Sequence, residues 1–171
     1  MLCDLCVILI LSSLFSPRNK SYNSRVPTRD RFRVLFLCLG NACRSPIAES
    51  VARRDASDIL DPSSAGLFPL GYIPPDTLHV LESNGYSTEA LSSKPVSRDI
   101  WDAADLVINL SGQRSDPIFD HSDKVEDWNV PDPFGGTPEV YQKTLENIVA
   151  RVHNLADRLR LQRPTSHPQK G

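Results

Sequence analysis

The stretch Val34-Leu35-Phe36-Leu37-Cys38-Leu39-Gly40-Asn41-Ala42-Cys43-Arg44-Ser45-Pro46 decides how this chain is read. Val34 to Leu37 is a continuous apolar run behind charged Arg31 and Arg33, the pattern of a central parallel strand covered on both faces. Ser45 is a good helix N-cap, and Pro46 suits the first helical turn. Ile47, Ala48, Val51, Ala52 and Ala56 follow at helical spacing as a stripe of mostly small apolar residues. Glu49, Arg53 and Arg54 fall outside that stripe, on an expected solvated face. Strand, loop and helix start together aim backbone N–H groups and a helix dipole at one point, where an anion would sit. A cysteine opening such a loop is expected as a thiolate, the nucleophilic form.

Cleaving a phosphate monoester without a metal takes a nucleophile, a cradle for three equatorial oxygens and an acid for the leaving group. Cys38 is the candidate nucleophile. The amides of Leu39, Gly40, Asn41, Ala42, Cys43 and Arg44 are the candidate phosphate-binding cradle. Gly40 is expected to let the backbone turn tightly, and Asn41 tolerates a left-handed conformation while its side chain pins the loop. Arg44 offers a planar fork that matches two phosphate oxygens. Ser45 can also donate a hydrogen bond to the Cys38 sulfur. The loop has no Gly-Lys-[Ser/Thr] ending, which excludes the nucleotide-binding P-loop and an ATPase.

The acid is expected far along the chain, in Val130-Pro131-Asp132-Pro133-Phe134-Gly135-Gly136. Asp132, held between two prolines on a stiff loop, is the candidate general acid. Asp127 is the reserve candidate, although it reads first as the end of a strand. Alone, Cys38 could be a buried strand-end cysteine and Asp132 a turn former. The placement of Cys38 between an apolar strand and a Ser-Pro helix start favours chemistry.

Outward from this centre the chain is ordinary. Its 171 residues, 40% hydrophobic and 23% charged, suit one globular domain. A net charge of −2 gives no broad basic surface, so nucleic acid is not an expected partner. Cys3, Cys6, Cys38 and Cys43 do not make a secreted disulfide framework. Reduced thiols beside the site point to the cytoplasm. No metal is expected, since Cys3-x-x-Cys6 lacks a second pair and His79, His121, His153 and His167 are scattered.

Residues 1–17 are apolar but broken by Asp4, shorter than the ~20 residues of a membrane span, and without the basic start of a signal peptide. Residues 1–30 are therefore expected to be an appendage and linker, either disordered or a mis-assigned start upstream of the domain, rather than a membrane anchor, residues 31–161 the domain, and 162–171 a frayed, flexible tail. Within the domain, Asp61–Gly66 reads as a short extended segment and Asp76 as a helix N-cap, with Gly85 ending that helix. Ser97 caps a short helix to Ala103. Leu106–Leu110 is a buried strand in which Asn109 needs a partner. Ser111–Phe119 reads as helix or turn, and Lys124–Trp128 as a last strand. Thr137-Pro138 opens a final helix in which Val140, Tyr141, Leu145, Ile148, Val149, Val152, Leu155 and Leu159 keep helical period, with Arg158 and Arg160 at its negative pole. Alternating strands and helices argue for an α/β three-layer sandwich around a parallel sheet, with ligands at the carboxyl ends of the strands.

Cys38-Leu-Gly-Asn-Ala-Cys-Arg-Ser45, Ser64-Ala-Gly66 and Asp132-Pro133-Phe134-Gly135-Gly136, in this order and spacing, resemble the low-molecular-weight protein tyrosine phosphatase family over about residues 32–160. The resemblance implies a central four-stranded parallel sheet and no cofactor. It implies a ping-pong mechanism on a phosphorylated protein, with a phosphocysteine at Cys38, Asp132 as acid and then base, and Arg44 stabilising both transition states. Cys43 matches the family's second loop cysteine, which forms a reversible disulfide with the nucleophile. Relatives acting on phosphotyrosine often carry a bulky aliphatic residue at the position of Ala42 and two aromatics after Asp-Pro, where this chain has only Phe134. Ala42 and Phe134 are thus the expected specificity positions. Asp-Pro-Phe-Gly-Gly resembles members that act on phosphoarginine, though those carry threonine in place of Ala42. Phosphotyrosine ranks first and phosphoarginine second. An arsenate reductase is disfavoured because no cysteine follows Cys43, and a non-catalytic phosphate-binding module because Cys38, Arg44 and Asp132 are all present.

Overall fold

The computed structural model describes residues 30–113 and 123–162. The appendage, the tail beyond Gln162 and most of the Ser111–Phe119 segment lie outside the described residues. The elements run β1 (Phe32–Cys38), α1 (Arg44–Asp55), β2 (Leu60–Gly66), α2 (Pro75–Ser83), α3 (Arg98–Ala103), β3 (Leu106–Asn109), β4 (Val125–Asp127) and α4 (Pro138–Gln162). They form one four-stranded sheet of order β2-β1-β3-β4, with every pairing parallel.

The period-two geometry of β1 explains its unbroken apolar run. Val34, Phe36 and Cys38 face a core shared with Ile47, Ala48 and Val51 of α1, Leu81 of α2, and Tyr141, Leu145 and Ile148 of α4. Leu35 and Leu37 face the opposite way, packing with Ala65, Trp101 of α3 and Val107. Helices on both faces make the three layers expected. Among the described residues no helix is long and apolar enough to cross a membrane.

Ser97 caps α3 by accepting from the Ile100 amide, and Gly85, at φ +74°, closes α2 with the Tyr86 amide returning to the Leu81 carbonyl. Asn109 finds the partners it needs: its Nδ2 donates to Asp127 Oδ1 at 2.7 Å and its Oδ1 accepts from the Ser111 amide at 3.0 Å. Arg158 and Arg160 do more than meet a dipole, since they pair with Glu126 and Asp58.

Three expectations are corrected. Pro74, not Asp76, occupies the N-cap of α2, and Asp76 sits in the first turn, where its charge suits the positive end. Ser45 is not a cap either: α1 begins at Arg44, Cys43 holds the cap position without a side-chain bond, and Ser45 lies wholly buried in the first turn. Glu49 is not on a solvated face. Every residue from Arg44 to Ala52 is buried, because α1 packs against β1, β2, α2 and α4 together.

Candidate active site

β1 lies where the chain reverses direction across the sheet, with β2 on one side and β3 on the other. Loops at the carboxyl end of such a strand splay apart and leave a crevice for a ligand. Cys38 ends β1 there, opposite Gly66 of β2, and residues 39–43 connect it to α1. The thiol is buried, 3.0 Å from Ser45 Oγ.

The loop's left-handed residue is Asn41, at φ +43°. Gly40 does not carry the turn as expected: it is not in the left-handed region, and a Cβ on it would meet nothing closer than 3.7 Å. The demanding glycine is Gly66. A Cβ there would stand 2.7 Å from the Asn41 amide nitrogen and 2.9 Å from its Cβ, so only glycine lets the loop settle on β2. That is the physical content of Ser64-Ala65-Gly66.

Asn41 pins the loop from within. Its Oδ1 accepts from the Lys94 amide at 2.9 Å, and its Nδ2 donates to Ser45 Oγ and to Ser64 Oγ, each at 2.9 Å. Ser64 in turn donates to the buried Glu49 carboxylate, which holds Arg53. Sequence periodicity missed Glu49 and Ser64.

Arg44 enters from the first turn of α1 and is buried. Its Nη1 donates to the Leu110 carbonyl at 2.7 Å and to the Val130 carbonyl at 3.4 Å, and its Nη2 donates to Asp132 Oδ2 at 2.5 Å. Its Nε is buried with no hydrogen-bond partner among the described residues. Asp132 sits at the rim, its side chain 46% exposed, with Oδ1 accepting from the Phe134 amide at 3.3 Å. The loop turns back through Gly135, at φ +73°, and through Gly136, where a Cβ would lie 2.9 Å from the Pro133 carbonyl. Asp127, the reserve acid, ends β4 and is occupied by Asn109.

Cys43, the last residue before α1, shares the core cluster of Cys38 and reaches Tyr141 of α4. Its sulfur is buried, 3.7 Å from the Tyr141 hydroxyl. Burial pushes the thiol up from its ordinary value, further raised by Asp132 and Cys38, although the Thr77 and Tyr141 hydroxyls oppose the rise. Tyr141 is pushed up as well, by burial first and then by Cys43. Cys43 is accordingly a neutral thiol near pH 7.

The mouth of the loop is apolar. The Phe68 amide donates to the Leu39 carbonyl at 2.8 Å and the Leu70 amide to the Gly40 carbonyl at 2.9 Å, which ties residues 68–70 to the loop. Leu39 is 38% exposed, Phe68 70%, Leu70 40% and Phe134 57%, whereas Ala42 is only 5% exposed and belongs to the core. Phe68 and Leu70 were not foreseen. Their signal was the apolar content of a loop that would otherwise be polar.

A family model described as low molecular weight phosphotyrosine protein phosphatase matches residues 33–165. Arsenate reductase 1 of Bacillus cereus is 32% identical over 126 residues, covering 72% of this chain and 93% of the relative. Low molecular weight protein-tyrosine-phosphatase PtpB of Staphylococcus haemolyticus is 28% identical, covering 72% of this chain and 96% of the relative. The solved YwlE arginine phosphatase of Geobacillus stearothermophilus superposes with a TM-score of 0.71 at 27% identity, covering 81% of this chain and 99% of the other.

Proposed function

Because the chain belongs to the low molecular weight phosphotyrosine protein phosphatase family, we propose that it is a metal-independent phosphatase that hydrolyses phosphotyrosine in proteins through a phosphocysteine at Cys38. The observation that carries this reading is the meeting of Cys38, Arg44 and Asp132 at the carboxyl end of β1, with Asp132 bonded to Arg44. Thiolate Cys38 attacks phosphorus while protonated Asp132 gives its proton to the leaving oxygen, and the P–O bond breaks as the P–S bond forms. Asp132, now a carboxylate, takes a proton from the attacking water, and Cys38 leaves as thiolate with inorganic phosphate. Arg44, buried and partnered by backbone carbonyls, is already aimed. Its Nε and Nη2 are the donors for two phosphate oxygens, Nη2 exchanging Asp132 for substrate. The amides of residues 39–44 take the remaining oxygens.

The apolar mouth favours an aryl phosphate, because Leu39, Phe68 and Phe134 can bury a ring. A second reading, hydrolysis of phosphoarginine, is supported by the likeness to the Geobacillus structure and by Phe134-Gly135-Gly136 in place of paired aromatics. The free thiols of Cys38 and Cys43 suit a reducing compartment such as the cytoplasm, and an oxidised Cys38 would condense with Cys43 to a disulfide. Wild type is expected to hydrolyse a generic aryl phosphate and Cys38→Ser to show background only; comparable rates would reject the mechanism. Phosphotyrosine and phosphoarginine peptides assayed side by side decide the substrate: a higher kcat/KM on phosphoarginine would replace the first reading with the second.

A further inference from the structure

Between α2 and α3 the chain crosses the carboxyl end of β2 as a short strap. The Gly66 amide donates to the Lys94 carbonyl and the Val96 amide to the Gly66 carbonyl, each at 2.9 Å, and this parallel bridge fixes the strap's backbone. From the strap, the half-buried Ser93 hydroxyl uses both of its roles. It accepts from the Gly71 amide at 3.0 Å and donates to the Gly40 carbonyl at 3.0 Å. Gly40 belongs to the loop after β1, and its carbonyl also takes the Leu70 amide at 2.9 Å. One hydroxyl thus joins the strap, that loop and residues 67–72, which carry the apolar wall of the mouth. Phe68, Leu70 and Tyr72 are all exposed, so side-chain burial does little to hold this wall and hydrogen bonds must. Gly71, at φ +88°, is the bend by which the wall leads on to α2, and Ser93 holds that bend.

We propose that Ser93 is a positioning residue for specificity. Its hydroxyl sets the wall of Phe68, Leu70 and Tyr72 at a fixed height over the loop that receives the phosphate. The site thereby favours a phosphate carried on a side chain long and apolar enough to reach the wall. Ser93 acts through the wall, not on the phosphate. A ligand confined to the cradle, such as inorganic phosphate, gains nothing from this clamp, whereas the ring of a phosphotyrosine does. The proposal rests on the chain being a phosphatase.

The test compares the full chain with Ser93→Ala, which leaves the Gly71 amide unpaired, and Ser93→Thr, which retains the hydroxyl. kcat and KM are measured for the better of the phosphotyrosine and phosphoarginine peptides, alongside inhibition by inorganic phosphate. Hydrogen exchange is followed across residues 67–73. Loss of one hydrogen bond from the wall raises KM about fivefold in Ser93→Ala, with kcat and phosphate inhibition unchanged, and Ser93→Thr restores KM. Exchange across residues 67–73 quickens in Ser93→Ala alone. With Phe68→Ala, Leu70→Ala and Tyr72→Ala already made together, Ser93→Ala raises KM no further. An unmoved KM overturns the proposal, as does a fivefold rise that persists once the wall is gone. Weaker phosphate inhibition or a lower kcat overturns it too, because Ser93 would then be shaping the cradle through Gly40. A wild type that hydrolyses neither peptide defeats the phosphatase reading, and exchange then decides the clamp. Faster exchange in Ser93→Ala, with Ser93→Thr like wild type, supports it; equal exchange in all three overturns it.

Discussion

On the inner side of the loop, Cys38, Asn41, Ser45, Ser64 and Glu49 are each 2% exposed or less and are joined by a continuous run of hydrogen bonds. On the outer side stand Leu39, Phe68, Leu70, Asp132 and Phe134, all more than a third exposed, with Asp132 tied to Arg44 and to one amide. A buried polar network tolerates little error, because each unpaired group costs its full desolvation. Exposed groups on a rim are free to answer to what binds there. On the proposed mechanism the inner side fixes the nucleophile and the outer side meets the leaving group. Damage inside is expected to slow every substrate alike, and damage outside to depend on the substrate.

That contrast can be broken in several places. The largest effect is expected from Asp132→Asn, on the outer side. Loss of the acid costs about 10²–10⁴-fold in kcat on phosphotyrosine peptides. A nitrophenyl phosphate, whose leaving group needs no proton, should suffer far less. Equal losses on both would reject Asp132 as the acid. Gly66→Ala comes next. Its added Cβ would press on the Asn41 backbone from 2.7 Å, and a loop displaced by a fraction of an ångström is expected to lose about 10²-fold in kcat/KM on all substrates equally. A selective loss would contradict the division of labour. Phe134→Ala, on the rim, removes one wall of the apolar mouth. Losing roughly 1–2 kcal/mol of aromatic burial raises KM for a phosphotyrosine peptide about 5–30-fold, with inhibition by inorganic phosphate unchanged. A change in phosphate inhibition would place Phe134 in the anion site instead.

The smallest effect concerns Cys43 and Tyr141, behind the loop. Burial raises both groups in the folded chain, so the folded state holds their protons more tightly than the unfolded one. The stability this gives is fully present below the unfolded values and is lost as pH rises past them, from about pH 8.5 upward. Tm is expected to decline in that range, and less steeply in Tyr141→Phe. A Tm independent of alkaline pH would show that neither group is linked to folding.

Much of this molecule was legible in its sequence, for physical reasons that also mark where reading stopped. Val34–Leu37 declared a strand buried on both faces because nothing polar interrupts it, and the structure packs its alternate residues into two cores. Cys38, Arg44 and Asp132 stand out as candidates because each carries chemistry that few other side chains can supply, and the structure pairs Arg44 with Asp132 near the end of β1 that Cys38 closes. Glu49 was misread because helical periodicity assumes one buried stripe, whereas the first half of α1 is covered all round. Ser45 looks like a cap because Ser-Pro so often starts a helix, yet the helix begins two residues earlier than that cap would place it, and the hydroxyl lies 3.0 Å from the Cys38 sulfur. Gly66 was visible as a motif but not as a cause, since a close approach between segments 25 residues apart leaves no local pattern. Phe68 and Leu70 became site residues only when backbone hydrogen bonds carried their loop to the mouth.

The central claim is that phosphate passes through the Cys38 sulfur. The direct measurement mixes enzyme with a phosphotyrosine peptide and stops turnover in milliseconds with denaturant near neutral pH. The digest is then searched for phosphate by fragment ions across residues 34–44 and around Asp132. The account predicts phosphate on Cys38 alone, accumulating further in Asp132→Asn when a nitrophenyl phosphate, which needs no acid, loads the enzyme. Rapid turnover with Cys38 unmodified, or phosphate found on Cys43 or Asp132, would contradict it.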